Sequence, residues 1–266
     1  DNKIYLFKNG AGAGYTANLT QSGGTITAVN GIQFGGTAGT YSGTANLTLS
    51  GGNLYVGAQG ITRGSGASTL QSNIKLQGGM VGAYDNWSSS LNMQLGTTGG
   101  GPTFQAATSG GISKDITLSG ILSDDTSVSG KLTKTGAGTL WLSGSNTYSG
   151  DTTISAGTLR LGASGVIADG VGKGNVSVAA GATFDLSGFS ETINGLSGAG
   201  TVDNTLSDFG ATLTVGSNAG GTFSGTIKNT TSALAVSLTK TGNTDLILSG
   251  SNSYNGATTI NQGRLF

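Results

Sequence analysis

Apolar residues recur at every second position in short runs, and glycine interrupts each run. In Thr139-Leu140-Trp141-Leu142 the two leucines share one side and Trp141 takes the other. Leu159 and Leu161 flank Arg160 in the same way, as Phe184 and Leu186 flank Asp185. The same period of two runs through Leu47/Leu49, Leu54/Val56, Ile116/Leu118, Val176/Val178, Leu213/Val215 and Leu246/Leu248. Runs of about three to five residues, closed by Ser-Gly, Gly-Gly or Asn-Gly, are too short for helices, which need roughly 10 residues. The pattern predicts many short β-strands.

Strands this short build a sandwich, a barrel or a solenoid. Three features favour the solenoid. The alternating inward positions carry mainly Leu, Val, Ile and Ala, which suit a narrow interior. Gly, Ser and Asn supply corners. Two-residue Asn-Gly or Asp-Gly hairpin loops are few. Inward pairs such as those at Leu118, Leu140 and Leu159 recur about every 20 residues, a workable rung length. The expected fold is an all-β, right-handed parallel β-helix of roughly a dozen rungs, about 55–60 Å long at ~4.8 Å per rung. Residues 1–110 are less regular and form a first part or cap, and residues 111–266 form the regular solenoid.

Composition narrows the function. Among 266 residues there are 51 Gly, 1 Pro and no Cys or His, and charged residues make up 9%. Collagen needs a three-residue Gly period with abundant Pro, and disorder favours charge and Pro over β-branched residues. Without Cys or His, no thiolate nucleophile, Ser-His-Asp triad or Cys/His zinc site can be built. The formal net charge is zero with no basic patch, so nucleic acid is not an expected partner. No apolar run approaches the roughly 18 residues of a membrane span. The calcium-binding nonapeptide is missing, and no cofactor is expected.

The strongest signal is an internal repeat. Leu132–Arg160, LTKTGAGTLWLSGSNTYSGDTTISAGTLR, aligns without gaps on Leu238–Phe266, LTKTGNTDLILSGSNSYNGATTINQGRLF, at an offset of 106 residues with 18 of 29 positions identical. The string closely resembles the passenger-associated transport repeat, also called the autotransporter-associated β-strand repeat. The matching positions include Lys134, Gly136, Gly138, Leu140, Leu142, Gly144, Asn146, Tyr148, Gly150, Thr152, Ile154, Gly157 and Leu159. The second copy departs at Thr244, where the usual Gly is missing, and at Asp245. The resemblance covers about 112–266, with repeats at 132–163 and 238–266. It implies a non-catalytic module of a secreted protein at the extracellular or outer-membrane surface of a Gram-negative-type bacterium: a passenger stalk, adhesin shaft or fibre subunit. The sequence stops inside its second repeat, so a longer parent chain or a covering subunit is expected, with end-to-end self-association as one form of it.

Candidate sites divide into contact and structural positions. Tyr84 and Trp87, in the polar stretch Tyr84-Asp85-Asn86-Trp87, and the outward Trp141 are candidates for contact with a glycan or a subunit. Asn146 and Tyr148 recur as Asn252 and Tyr254, and Gly136, Gly150 and Gly157 recur as Gly242, Gly256 and Gly263. These are expected to be structural, since amide and aromatic ladders stabilise stacked strands. The competing reading is a β-helix enzyme or binding module acting on extracellular polysaccharide, which needs acids gathered by stacking. Among the acids only Asp124 and Asp125 are adjacent. Neighbours on a strand point to opposite faces, and Asp in a turn usually caps its own backbone.

Overall fold

The computed structural model describes residues 3–7, 14–36, 41–66, 69–126, 128–170, 173–206, 209–216, 221–230 and 235–266. Every pairing between its named strands is parallel, and the strands stack into a solenoid with three faces. Face A carries 25–28, 53–56, Met80–Ala83, Thr103–Gln105, Leu132–Thr135, Thr152–Ile154, Asn175–Val178, Gly195–Gly198, Gly221–Phe223, Asp245–Leu248 and Arg264–Leu265. That makes eleven tiers among the described residues, close to the expected dozen and about 48 Å long at ~4.8 Å per tier. Face B runs from Ile4–Leu6 through Ile32–Phe34, Ile61–Arg63, Trp87–Ser89, Ile116–Leu118, Thr139–Leu142, Thr158–Leu161, Thr183–Asp185 and Thr201–Asp203 to Thr226–Ile227. Face C holds 16–22, 42–49, Thr69–Leu76, Met93–Leu95 and Leu122–Asp124, and resumes at Glu191–Ile193, Ala211–Val215, Val236–Lys240 and Thr258–Ile260.

Alternation sets the interior. Leu132 and Lys134 point in while Thr133 and Thr135 point out, and Leu140/Leu142 and Leu159/Leu161 are fully buried. Each buried Leu or Val contributes about 1.5–3 kcal/mol relative to exposure, so a tier depends on its neighbours and not on a private core. The interior is wider than a purely aliphatic one: Phe34, Phe104, Phe184, Phe223, Tyr41 and Tyr148 are also enclosed.

Tier length varies. One turn of the chain carries Thr183 to its partner Thr201, and a much longer one carries Thr103 to its partner Thr133. Pairing runs unbroken across residue 110, because Thr103–Gln105 is bonded to Met80–Ala83 on one side and Leu132–Thr135 on the other. The N-terminal part differs in having long strands, Thr16–Ala28 and Ser42–Val56, that turn a corner without breaking. The first repeat starts on face A at Leu132–Thr135, but the second starts on face C at Val236–Lys240. The two copies are therefore set one face apart around the axis.

Candidate functional site

The repeated residues meet at the corners, where strand pairing lapses. Among the described residues face C has no strand between Leu122–Asp124 and Glu191–Ile193, and side chains carry the ladder across that gap. Asn146 Oδ1 accepts from Leu122 N at 2.8 Å, and its Nδ2 donates to Val166 O at 2.9 Å. Val166 N then donates to Glu191 Oε2 at 2.8 Å. One amide and one carboxylate thus span two strandless tiers. In the second copy the same loop lies over face B, where Asn252 Oδ1 accepts from Ile227 N at 2.8 Å. Tyr148 and Thr152 share a hydroxyl hydrogen bond of 2.6 Å, and Tyr254 and Thr258 share one of 2.8 Å.

Each repeat also contains a buried ammonium clasp. Lys134 Nζ donates to Thr135 O and Gly136 O, both at 2.8 Å, and to Ala156 O of the next tier at 3.0 Å. Lys240 Nζ repeats this with the carbonyls of Thr241, Gly242 and Gln262. Burial pushes the Lys134 ammonium down to about 8, against a smaller upward pull from Asp115. The carbonyls come free because Gly136 turns the corner at φ 76°. There a Cβ would stand 2.8 Å from Ala106 C, so the turn needs both the open conformation and the missing side chain. Gly157, Gly242 and Gly263 also have positive φ. Gly150 is held by space alone, since a Cβ would stand 2.5 Å from Gly130 O. Gly256 packs in the same way against Val236 O.

The three aromatic candidates part company. Trp87 is only 3% exposed and opens a face B strand with its side chain in the core, so it offers no contact surface. Alternation explains this: Trp87 is in register with the inward Ile116. Trp141 is outward and half-buried, with one ring face covered by the Arg160 guanidinium 4.9 Å from the centroid. Arg160 in turn donates to the buried Asp185 at 2.6 Å. Tyr84 is 49% exposed and adjoins the Asp85–Lys114 ion pair of 2.6 Å.

Asp124 and Asp125 are occupied by structure. Asp124 accepts from Gly130 N, Ser149 N and Ser149 Oγ. Asp125 accepts from Lys75 Nζ at 3.0 Å, Gln77 Nε2 at 2.8 Å and Thr126 N at 2.8 Å. Burial pushes the Asp125 carboxyl up, but these donors outweigh it and hold it below the usual range. That is the opposite of what a general acid needs. The buried Glu191 is the acid whose affinity is raised, to about 7, chiefly by burial. Among the described residues no group of three potential ligands is placed to hold a metal ion, and no helix is long and apolar enough to cross a membrane.

The structure brings together several residues that sequence reasoning missed. On face A, Asn175 Nδ2 donates to Asp151 Oδ1 at 2.9 Å, and Asn194 Nδ2 donates to Asn175 Oδ1 at 2.8 Å. A shallow groove of about 300 Å³ lies beside this column. Asn18, Asn46 and Asn73 form a second amide ladder on face C, with steps of 2.7 and 2.9 Å. The Asn18, Asn46 and Asn73 ladder recurs at steps of 28 and 27 residues, a signal the sequence did carry, whereas the Asp151, Asn175 and Asn194 column steps by 24 and 19 and has no fixed spacing.

Comparison with known proteins agrees with the corner geometry. The family model for the passenger-associated-transport-repeat matches residues 132–161 and 238–265, the two segments that hold the Lys clasps and Asn staples. Over 220 residues, 76% of this chain, the sequence is 34% identical to the protein named adhesin BmaC autotransporter of Brucella suis biovar 1 (strain 1330). The chain spans 6% of that relative's length. No solved structure matches the chain. The chain thus carries two autotransporter-associated repeats on a parallel β-solenoid.

Proposed function

We propose that this chain is a non-catalytic shaft module of a secreted bacterial surface protein, of the passenger or adhesin type, exposed outside the cell or at the outer-membrane surface. The observation that carries the reading is the use made of the repeated polar residues. Lys134, Asn146, Lys240 and Asn252 all join one tier to another through backbone groups. None faces a cleft. A solenoid held tier to tier in this way adds rungs one at a time, which suits a chain folding as it leaves a secretion pore. The relative's name, an adhesin autotransporter, supports the same role. End-to-end association of copies along the shared axis belongs to this reading.

The polysaccharide-enzyme reading needs free acids on both sides of a bound sugar, and Asp124 and Asp125 are spent on Gly130, Ser149, Lys75 and Gln77. Negative-stain microscopy across a concentration series, with a reducing-end assay on a panel of polysaccharides, tests the proposal. Protease-resistant rods about 48 Å long, single or joined end to end, with no released sugar, are expected. Sugar release that disappears in Asp124→Asn or Asp125→Asn would overturn it.

A further inference from the structure

The groove on face A has the chemistry of a binding site. Its lining is Asp151, Thr153, Asn175, Ser177 and Ser197, with Gly195, Leu196 and Gly221. Two outward columns run along it. One is the hydrogen-bonded pair Asp151–Asn175, held from behind by the buried Asn194. The other is a hydroxyl column in strict register, Thr153 with Ser177 and Ser177 with Ser197. Residues two apart on a strand stand about 7 Å apart, and tiers are ~4.8 Å apart. The groove therefore offers rows of hydroxyl, amide and carboxylate groups at a regular axial step. Gly195, in register with Asn175, ends the amide column without a side chain and is itself buried.

The geometry points to a binding site for a neutral, hydroxyl-rich glycan lying along the solenoid axis in this face A groove. Charge decides against an anionic ligand, since the lining holds one carboxylate and no cation. The sheet decides against an added peptide strand. The groove lies on a sheet face, and its strands Thr152–Ile154 and Asn175–Val178 are each already paired on both sides, so they present no free edge. Sugar hydroxyls, which donate and accept, match side chains that do the same. At about 300 Å³ the groove is at the small end of ligand sites and lacks an aromatic platform, so each segment binds weakly and a long glycan gains by bridging several tiers. This inference rests on the surface-module reading and adds a ligand to it.

Amide NMR shifts of the intact chain during titration with neutral β-linked oligosaccharides, and with a sulfated one of equal length, test the site. Saturable shifts are expected at 151–153, 175–177 and 195–197 with the neutral ligands, weaker with the sulfated one. Ser197→Trp fills the groove from an exposed position and should abolish the shifts. Asn175→Ala should weaken binding roughly tenfold through the loss of one to two hydrogen bonds. Thr192→Trp, the same bulk on face C, should change nothing. Absence of saturable shifts there at about 10 mM ligand, preference for the sulfated ligand, or equal binding by Ser197→Trp would each overturn the site. Rods that still form in Ser197→Trp separate failure of this site from failure of the shaft reading.

Discussion

Glu191 is an acid inside a wall of apolar tiers, in register with Leu213 and only 2% exposed. Its Oε2 takes the Val166 N–H and its Oε1 the Thr192 N–H at 3.2 Å, yet burial outweighs these donors and lifts its pKa from 4.5 to about 7, with a further upward push from Asp169. The folded state therefore holds the Glu191 proton more tightly than the unfolded chain. The associated stability is fully present below pH 4.5 and is lost as the pH rises through about 7. The difference between 4.5 and about 7, at about 1.36 kcal/mol per pH unit, amounts to about 3 kcal/mol. Glu191→Gln removes the titration while keeping the side chain's shape, with one of its two accepting oxygens exchanged for an NH2 group. Urea unfolding followed by circular dichroism from pH 4 to 8.5 should show wild type losing about 3 kcal/mol more than the variant over that range. Hydrogen exchange in peptides covering 146–148, 165–167 and 191–193 places the effect, because solenoid tiers open locally. Parallel stability curves for the two proteins would refute the reasoning.

Two further substitutions test the corners. Asn146→Ala removes the acceptor for Leu122 N and the donor to Val166 O; it should cost about 2–6 kcal/mol, from two buried groups at ~1–3 each, with faster amide exchange at Leu122 as the check. Gly136→Ala combines φ 76° with a Cβ 2.8 Å from Ala106 C and should cost more than about 2 kcal/mol, whereas Gly111→Ala, at φ 84° with nothing within 4 Å, should cost about 1 kcal/mol; thermal melts of the pair decide.

Much of the fold was legible because the two-residue period is local. Leu140/Leu142, Leu159/Leu161 and Val176/Val178 declare their inward face without any knowledge of partners, and all six are buried. Trp87 was misplaced because the polar neighbours Asp85, Asn86 and Ser88 mask a short strand, Trp87–Ser89. Trp141 is outward as alternation predicts, but its availability depends on Arg160, its partner in register on the next tier. Glu191 and the Asp151–Asn175–Asn194 column were invisible for the same reason. Their partners are fixed by tier length, and tier length is set by loops that leave no periodic mark. Lys134 stood in the motif without a role, since nothing in the sequence shows three carbonyls converging on its Nζ.

The face-to-face displacement of the two repeats shows what the motif recognises. In the first copy the Gly-Ser-Asn-Thr-Tyr loop stacks on face C over Leu122, and in the second the matching loop stacks on face B over Ile227. The side chains of the two loops act differently in one respect, since Asn146 donates onward to Val166 O where Asn252 donates back to Gly250 O, but two bonds to neighbouring tiers recur. Asn accepts a strand N–H from the tier below, and Lys donates to a carbonyl of the tier above, Ala156 O in one case and Gln262 O in the other. Backbone groups are present on every face at every tier, so a device that bonds only to backbone works wherever the chain happens to have turned. The outer surface is thereby released from the repeat, and intervening tiers can vary in length and in exposed residues while the repeats keep the stack in register. The groove lining on face A, from Asp151 to Gly221, begins inside the first repeat and ends in the stretch between the two copies. It lies where this architecture leaves outward positions free to take on a binding role without disturbing the shaft.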